Sequence, residues 1–311
     1  MAKDLQKLID SNDSVSIFGR ADRYQAEHPL KPRHSKDVVG GADSTLDQFA
    51  IIKQYHLKGF EYGNWVSNND RYDHLLAAQR SLKHLAQILG SQNIGINGNI
   101  GIAFGGRGQG GAAAAHYEPS FNMINLTKPN GAGCLAHEYG HALDYNFGSF
   151  VDQHKSFAAL SGGHSISQTL ETNVGGQLRA MTNALIDAII QTQSHQELRE
   201  KVKNKGDYWI RRTEIFARFF EQYVCYKMRK ISTDYYLTQT WEYYTHNRAY
   251  LTESDFNTVL PLAEKLNAEL GKFLNGRGKL KTTPYPSAKK LVPVKKVAAK
   301  KATSVKKTNK S

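Results

Sequence analysis

Two histidines and a glutamate near the middle of the chain have the spacing of a metal site. His137, Glu138 and His141 form an H-E-x-x-H pattern within residues 131–147, GAGCLAHEYGHALDYNF. Residues four apart on an α-helix lie one turn above each other, so both imidazoles can reach one ion while the carboxylate reaches its bound water. Chance alone predicts roughly 0.02 such matches in a chain of this composition. The pattern indicates a zinc hydrolase, with Zn²⁺ as cofactor and Glu138 as general base.

The residues around the pattern are typical of a buried helix. Small or apolar residues flank it directly, namely Leu135, Ala136, Ala142 and Leu143. Glycines before the pattern, with Asn146 and Gly148 after it, are start and stop signals for a helix. Asp144 follows His141 by three residues and lies on the same helical face. We therefore predict that the Asp144 carboxylate orients a metal-bound imidazole.

A catalytic zinc site usually has three protein ligands and one open position, so a third ligand is needed. The metzincin arrangement would require it six residues after His141, where the chain has Phe147. We predict Glu214, which begins the apolar segment TEIFARFFEQYV and has Arg218 one turn further on. Glu221 is the second candidate, and a simple pairing of Glu214 with Arg218 is the structural alternative. Other residues also stay open as ligands, namely His116, Asp152, His154, His164 and Glu171.

Hydrophobic spacing predicts the elements that must hold these residues. A helix is expected over 68–89, capped by Ser67 or Asn68, and further helices over 176–203, over 213–229 and from Thr252 to residue 274. Pro261 is expected to kink the last helix or to move its start.

Residues 93–105 and 121–126 read as strands, the first with a turn at Asn97-Gly98, whereas 149–175 reads as loop. The second strand leads into the metal helix. Its edge should be free to pair with an extended peptide substrate.

Three segments of the chain follow the pattern of a known family: NWVSNNDRYDHLLAAQRSLKHLA, IAFGGRGQGGAAAAHYEPSFNMINLTKPNGAGCLAHEYGHALDY and TEIFARFFEQYV. They resemble the zincin-like large polyvalent-protein-associated domain of bacteriophages and conjugative elements. The similarity covers about residues 55–275 and is most specific over 113–144. It implies an α+β, mostly helical zincin-like metallopeptidase fold, with a small sheet before the H-E-x-x-H helix. It also implies His137 and His141 as metal ligands, Glu138 as general base and Glu214 as third ligand.

Some features of the sequence are open or are weaker signals. Nothing distinguishes Tyr117, His164 and Tyr236 as the group that would stabilise an oxyanion. Gly106, Gly108 and Gly111 match a dinucleotide-binding pattern, but no acidic residue lies between Glu118 and Glu138, where one is required. We interpret this glycine-rich segment as a flap over the cleft. Cys134 and His137 form a C-x-x-H pair, and a small buried helix cysteine explains Cys134 better.

The net charge of +13 is concentrated at the C-terminal end of the chain. No acidic residue follows Glu269, whereas 13 of the 41 basic residues do, so the preceding body is neutral. We expect residues 1–54 to form a weakly structured arm, 55–275 the metal-binding domain and 276–311 a disordered Lys-rich tail. Such a tail is suited to sequence-independent binding of DNA or RNA.

The composition also bounds the compartment and the function. Two cysteines and no long apolar stretch favour a cytoplasmic protein without a membrane segment, in the host cytoplasm or the virion if a phage encodes it. The favoured hypothesis is a zinc peptidase of phage or mobile-element origin acting on a protein or peptide. The alternative is a non-catalytic nucleic-acid-associated accessory or virion protein whose zincin domain is structural. Substrate and oligomeric state are not predicted.

Overall fold

The protein has an α+β fold that is mostly helical. The computed structural model describes residues 47–63, 65–107, 113–128, 130–151, 159–162, 174–204 and 207–277. Within these ranges the helices are α1 (Gln48–Tyr55), α2 (Asn68–Leu89), α3 (Leu135–Val151), α4 (Val174–Gln191), α5 (Gln193–Val202), α6 (Arg212–Met228), α7 (Trp241–His246) and α8 (Glu253–Lys272). The strands are β1 (Gly59–Tyr62), β2 (Gly101–Phe104), β3 (Ala115–Glu118) and β4 (Met123–Leu126). A short 3₁₀ helix, Tyr208–Ile210, precedes α6, and a π-helical turn, Phe273–Arg277, follows α8.

The four strands form one mixed sheet in the order β1-β2-β4-β3. Strands β1, β2 and β4 are parallel, while β3 runs antiparallel to β4, with Tyr117 opposite Ile124. The expectation that the strand before the metal helix has a free edge is wrong. Strand β4 lies between β2 and β3, so the edge on that side of the sheet belongs to β3, a strand that was not predicted.

The predicted strand over 93–105 is shortened by a turn. Ile96 and Asn97 have positive φ, and the Gly95 and Gly98 amides donate hydrogen bonds of 2.8 and 2.7 Å to the carbonyls of Tyr55 and His56. These bonds tie the turn to the end of α1, so its apolar residues enter the core from a turn. Only Gly101–Phe104 pairs in the sheet.

Most predicted helices are present, with corrected boundaries. Helix α2 begins at the predicted Ser67 cap, whose hydroxyl accepts from the Asp70 amide, and the Thr252 hydroxyl caps α8 in the same way. Helix α8 runs through Pro261, so the proline does not move its start. The single helix predicted over 176–203 is wrong. Thr192 separates α4 from α5 because its side chain accepts from the His195 amide and starts a new helix there.

The described fold begins before the predicted domain boundary at residue 54. Helix α1 occupies part of the predicted arm, and its Ile51 and Tyr55 are buried in the core. The chain divides into two units, Met1–Lys281 and Thr282–Ser311, and every described residue belongs to the first. The predicted Lys-rich tail therefore lies outside the described residues, except for its first two. None of the described helices combines the length and the apolar character that a membrane crossing requires.

Helix α3 lies at the centre of this fold. Its predicted apolar flanks, Leu135, Ala136, Ala142 and Leu143, are fully buried. Its first turn is held by a later segment, since the Gly133 and Ala136 amides each donate a 3.0 Å hydrogen bond to the carbonyls of Tyr236 and Leu237. Helix α3 packs most extensively on α6 and also contacts β3 and β4. The metal motif is therefore fixed between the sheet and one apolar helix.

Candidate metal centre

The two motif histidines and Glu214 meet between α3 and α6. Nε2 of His141 lies 3.4 Å from Oε1 of Glu214, and Nε2 of His137 lies 3.7 Å from Oε2 of the same carboxylate. One ligand atom from each residue lies within 4.8 Å of the others. The three residues predicted as metal ligands are thus brought together, although His141 and Glu214 are 73 positions apart in the sequence.

A glycine allows the two helices to approach this closely. A Cβ atom on Gly140 would lie 3.1 Å from the Cα of Ala217 and 3.3 Å from the Cβ of Phe220, which is tighter than ordinary contact. A larger residue would therefore push α3 away from α6. Gly140 lies between His137 and His141 in the sequence. The absence of a side chain there allows α6 to come close enough for Glu214 to reach both histidines.

The distances fit one shared ion with tetrahedral coordination. With metal–ligand bonds of about 2.0 to 2.1 Å, neighbouring ligand atoms in a tetrahedral site are separated by about 3.3 Å. The two separations from Glu214, 3.4 and 3.7 Å, are close to this value, and all three ligand atoms lie within 4.8 Å of one another. Two imidazole nitrogens and one carboxylate oxygen are also a donor set that suits zinc. The residues present therefore fit a zinc ion.

Glu221 holds the imidazole of His137 instead of pointing at the shared position. Its Oε1 lies 2.9 Å from Nδ1 of His137, so that ring donates its Nδ1 proton to the carboxylate and leaves Nε2 facing Glu214. The hydroxyls of Tyr250 and Tyr244 donate to Glu221 at 2.6 and 3.3 Å. Metal-binding histidines commonly have such a carboxylate partner. The second candidate ligand is thus an orienting group for the first histidine.

The predicted orienting group, Asp144, has other partners. It is fully buried, and its two oxygens accept hydrogen bonds of 2.7 Å from the amide and the hydroxyl of Ser161. Nδ1 of His141 is buried and makes no hydrogen bond to any described residue. Burial raises the pKa of Asp144 to about 6, opposed by Ser161 and by the charges of His141 and Arg179. Asp144 thus acts on His141 by charge, without a direct hydrogen bond.

The cluster contains several carboxylates close to two histidines, and these groups shift one another's pKa values. Burial opposes a charge on His137, but Glu221, with Glu214 and Glu138, raises its pKa to about 10. Burial likewise opposes a charge on Glu214, yet both histidines bring the pKa of that carboxyl well below its usual range. The carboxylates stabilise a positive charge at the shared position, whether it is carried by a proton or by a cation.

Glu138 is buried beside the histidines, at the wall of an open cleft. Burial raises the pKa of Glu138, opposed by His137 and His141 and reinforced by Glu214 and Glu221. The cleft has a volume of about 260 Å³. Its lining combines the cluster with strand β3 and the start of α6: Ala115, His116, Tyr117, Pro119, His137, Glu138, His141, Tyr145, Tyr208, Arg211, Thr213 and Glu214.

The structural alternative, a direct pairing of Glu214 with Arg218, is not found among the described residues. Nη2 of Arg218 donates instead to the carbonyl of Trp209, and its guanidinium lies 5.4 Å from the centre of the Trp209 ring. Arg218 therefore influences Glu214 through its charge, without a direct ion pair.

Two of the three residues considered for an oxyanion, Tyr117 and Tyr236, are described by the structure, and of these Tyr117 lines the cleft. Its hydroxyl already donates to Oδ1 of Asn122 at 2.6 Å. Tyr236 is buried, with its hydroxyl 3.1 Å from Nδ1 of His74. Tyr208, which was not predicted, lines the cleft and hydrogen-bonds Glu214, and burial together with that carboxylate raises its pKa to about 12. In the sequence, the position of Tyr208 just before the helix that carries Glu214 could have indicated that it lies near the cluster.

Among the residues that the structure describes, the remaining sequence candidates do not join the cluster. His116 lines the cleft, with its Nε2 3.2 Å from Glu118. Cys134 is partly buried, and burial raises its thiol pKa to about 12, with Glu221 and Glu138 adding to the effect. Four candidate residues lie outside the described ranges, namely Asp152, His154, His164 and Glu171. Most of the glycine-rich segment, residues 108–112, also lies outside them.

Comparison with known proteins bears on the second half of this site. The search of curated proteins and the search of solved structures each found no match. The family model that matches does so after α3 has ended, so it includes Glu214 and Glu221 but not the H-E-x-x-H pattern. The resemblance to a polyvalent-protein domain is confirmed there, and its zincin-like part stays a prediction. Residues 200–274 match the model of large polyvalent protein-associated domain 1.

Proposed function

We propose that the protein is a zinc-dependent metallopeptidase that hydrolyses peptide bonds with a metal-activated water. His137, His141 and Glu214 hold the ion, and Glu138 is the general base. The observation that carries this proposal is the convergence of two imidazole nitrogens and one carboxylate oxygen within 4.8 Å, at the wall of an open cleft. The order of a small sheet followed by the motif helix supports a zincin-like fold as part of this proposal.

The ion would supply Lewis acidity and would lower the pKa of a water ligand from its bulk value to about 7. Glu221 fixes which nitrogen of His137 is available, because it accepts the Nδ1 proton. The ionised carboxylate of Glu214 would stabilise a bound cation through its negative charge. The three ligand side chains leave one position of a tetrahedral site for water.

Glu138 is suited to carry a proton between two reaction partners. It is adjacent to His137 in the chain and lines the same cleft, but it is not one of the three converging ligands. Its raised pKa makes its carboxylate a stronger base than an exposed glutamate would be. A carboxylate oxygen of Glu138 can therefore accept a proton from water and later donate it to the leaving amine.

Strand β3 is the element that would position an extended peptide. Its outer edge has no neighbouring strand among the described residues. Three of its four residues, Ala115, His116 and Tyr117, line the cleft. A peptide can add to such an edge through backbone hydrogen bonds. We therefore propose that the extended peptide pairs with the edge of β3, not with β4. We assign the protein to a phage or mobile element, an origin with which the polyvalent-protein domain agrees.

The test separates binding of metal from chemistry. Protein purified without chelator should contain about one zinc per chain. Glu138→Gln should retain the zinc and lose cleavage by about 10² to 10⁴-fold, because the amide cannot act as a base. Cleaved protein termini would be compared by proteomics in cells that express either form. Glu200→Gln, at a side chain that is 73% exposed, is the matched control.

Wild-type protein without metal would contradict the proposed centre. Metal-loaded protein that produces the same termini as Glu138→Gln would contradict the peptidase. In that case deletion of the Lys-rich tail would test the alternative, a nucleic-acid-associated accessory protein, because tail deletion would remove its function while Glu138→Gln would not.

A further inference from the structure

Peptide hydrolysis, the function proposed above, places negative charge on a substrate oxygen that needs a hydrogen-bond donor. Attack of the water oxygen on the scissile carbon opens the carbonyl double bond, whose electron pair moves to the former carbonyl oxygen while Glu138 takes a proton from the water. The pair re-forms the double bond when the C–N bond breaks and the proton passes from Glu138 to the leaving amine. A donor directed at that oxygen lowers the barrier to both steps.

Tyr208 has a hydroxyl close to both carboxylates that the proposed reaction uses. The residue is 47% exposed, belongs to the 3₁₀ turn just before α6, and lines the cleft. Its hydroxyl hydrogen-bonds Glu214 and is also affected by the charge of Glu138. The scissile bond must be placed between the metal ligands and the base that activates the water. Tyr208 is therefore within reach of the oxygen that becomes charged.

Two other polar side chains of the cleft are already hydrogen-bonded within its wall. The Tyr117 hydroxyl donates to Oδ1 of Asn122 at 2.6 Å and accepts from Nδ2 of Asn146 at 3.0 Å. Nε2 of His116 lies 3.2 Å from Oε1 of Glu118. Each would have to lose a partner in the wall in order to turn towards a substrate.

The third tyrosine of the cleft, Tyr145, has a different environment. The carboxylates whose charges act on its hydroxyl are those of Asp144 and Glu214. The carboxylates that act on Tyr208 are those of Glu214 and Glu138. The position of Tyr208 relative to the proposed base therefore favours it over Tyr145.

A buried cation fixes the turn that carries Tyr208. Nη2 of Arg218 donates to the carbonyl of Trp209, and the guanidinium lies 5.4 Å from the centre of the Trp209 ring. Arg218 is only 5% exposed, and the Arg211 amide adds a 3.3 Å hydrogen bond to the Tyr208 carbonyl. The turn and the first turns of α6, with Glu214, thus form one rigid unit. A donor held in this way needs little reorganisation during the reaction.

The hydroxyl can exchange Glu214 for the substrate oxygen when that oxygen becomes charged. The charge of Glu214 is the same before and during the reaction, whereas the substrate oxygen gains its charge only in the transition state. A hydrogen bond that strengthens only there accelerates the chemical step without tightening substrate binding. We infer that Tyr208 is a catalytic residue of the proposed peptidase, on which this role rests. Its hydroxyl donates a hydrogen bond to the charged substrate oxygen and keeps its own proton throughout.

The kinetic test removes the donor and keeps the aromatic ring. The substrate would be a peptide that contains a cleavage site identified from the protein termini produced by wild type. Tyr208→Phe should lower kcat by about 10²-fold and leave KM nearly unchanged, because the lost hydrogen bond forms only in the transition state. Tyr243→Phe, at a tyrosine that is 46% exposed and does not line the cleft, is the matched control and should keep the wild-type kcat.

The outcomes distinguish this role from the peptidase itself. A wild-type kcat in Tyr208→Phe would overturn the inference and leave the peptidase intact, as would a loss seen in Tyr145→Phe but not in Tyr208→Phe. Wild-type protein that produces the same termini as Glu138→Gln would overturn both.

Two binding measurements separate a catalytic role from the positioning of Glu214. The zinc affinity of Tyr208→Phe, measured by competition with a chelator, should equal that of wild type. A phosphonamidate analogue of the cleaved peptide has charged oxygens in place of the scissile carbonyl, so Tyr208→Phe should bind it about 10²-fold more weakly, in parallel with the loss of kcat. Weaker zinc binding with an unchanged affinity of the zinc-loaded variant for the analogue would make Tyr208 a positioning residue and overturn the inference.

Discussion

Two buried clusters in this protein combine histidine with carboxylate, and only one of them has the features of a metal site. One is the cluster of His137, His141 and Glu214 described above. The other is centred on Asp234, whose side chain is fully buried. Its oxygens accept from five donors at 2.8 to 3.4 Å: Arg80 Nη2, Ser81 Oγ, His84 Nδ1 and the amides of Tyr236 and Leu237.

The difference lies in how the acceptor positions are used. In the second cluster the carboxylate of Asp234 accepts all five hydrogen bonds, so its lone pairs are occupied. No free donor atoms of these residues face a common, accessible position. In the first cluster a carboxylate and two Nε2 atoms face one another at the wall of the cleft, while Glu221 occupies Nδ1 of His137. Histidine and carboxylate in contact are therefore not sufficient to indicate a site. Donor atoms that share one accessible position are the informative feature.

The two clusters are nevertheless linked through helix α3. Asp234 organises the segment whose carbonyls at Tyr236 and Leu237 accept from Gly133 and Ala136 at the start of that helix. The closed cluster thus supports the element that carries the open one. Removal of a ligand from the open cluster should change metal binding, whereas removal of Asp234 from the closed cluster should lower the free energy of unfolding.

The largest effect should come from removing a ligand of the open cluster. His141→Ala should reduce bound zinc from about one per chain to near zero, because two remaining ligands do not form a stable site. The free energy of unfolding measured in the presence of chelator should change much less. Metal content by mass spectrometry checks this, with His246→Ala, at an exposed histidine, as control. Unchanged zinc in His141→Ala would show that the ion is bound elsewhere.

Asp234→Asn should have the opposite profile. Loss of the buried charge should lower the free energy of unfolding by about 3 kcal/mol at neutral pH, because its cationic partners lose their counter-charge. Burial raises the pKa of Asp234, but His84, Arg80 and Ser81 lower it below the ordinary value of 3.8. The stabilisation is therefore fully present above about pH 4 and is lost as the pH falls through the folded-state pKa.

Urea unfolding at several pH values would measure both parts of this prediction. The difference between wild type and Asp234→Asn should be largest near pH 7 and should shrink in acid. Zinc bound per folded chain should stay near that of wild type. A variant as stable as wild type but without metal would reverse the roles assigned to the two clusters.

Local patterns predicted most of the helices and the residues that converge in the candidate centre, but not the contacts between segments that are distant in the sequence. The spacing of Leu75, Ala78 and Leu82 predicted α2, and the H-E-x-x-H spacing predicted how α3 presents His137 and His141. Glu214 was predicted from the start of an apolar helix, and the fold brings it to the histidines.

The predictions that differ from the structure depend on distant partners. The predicted turn at Asn97-Gly98 is present, but its hydrogen bonds to carbonyls at the end of α1 keep the preceding isoleucines out of the predicted strand. The role of Glu221 depends on which neighbours approach each side of α6, and Tyr244 and Tyr250 come from more than 20 residues away. Asp144 was assigned to His141 from helical spacing alone, but its two carboxylate oxygens accept hydrogen bonds from Ser161 instead. Local periodicity contains no information about such approaches.

The smallest predicted effect tests the orienting role of Glu221 within the open cluster. Glu221→Gln can still accept from Nδ1 of His137 and from Tyr250, but without the negative charge that strengthens the imidazole as a ligand. Zinc affinity should therefore fall by about 10- to 100-fold, with the stoichiometry still near one. Competition with a chelator measures this. Glu264→Gln, at a carboxylate that accepts from Lys227 and Tyr223, is the matched control and should bind zinc like wild type. A complete loss of zinc in Glu221→Gln would instead make Glu221 a direct ligand, while unchanged affinity would remove it from the centre altogether.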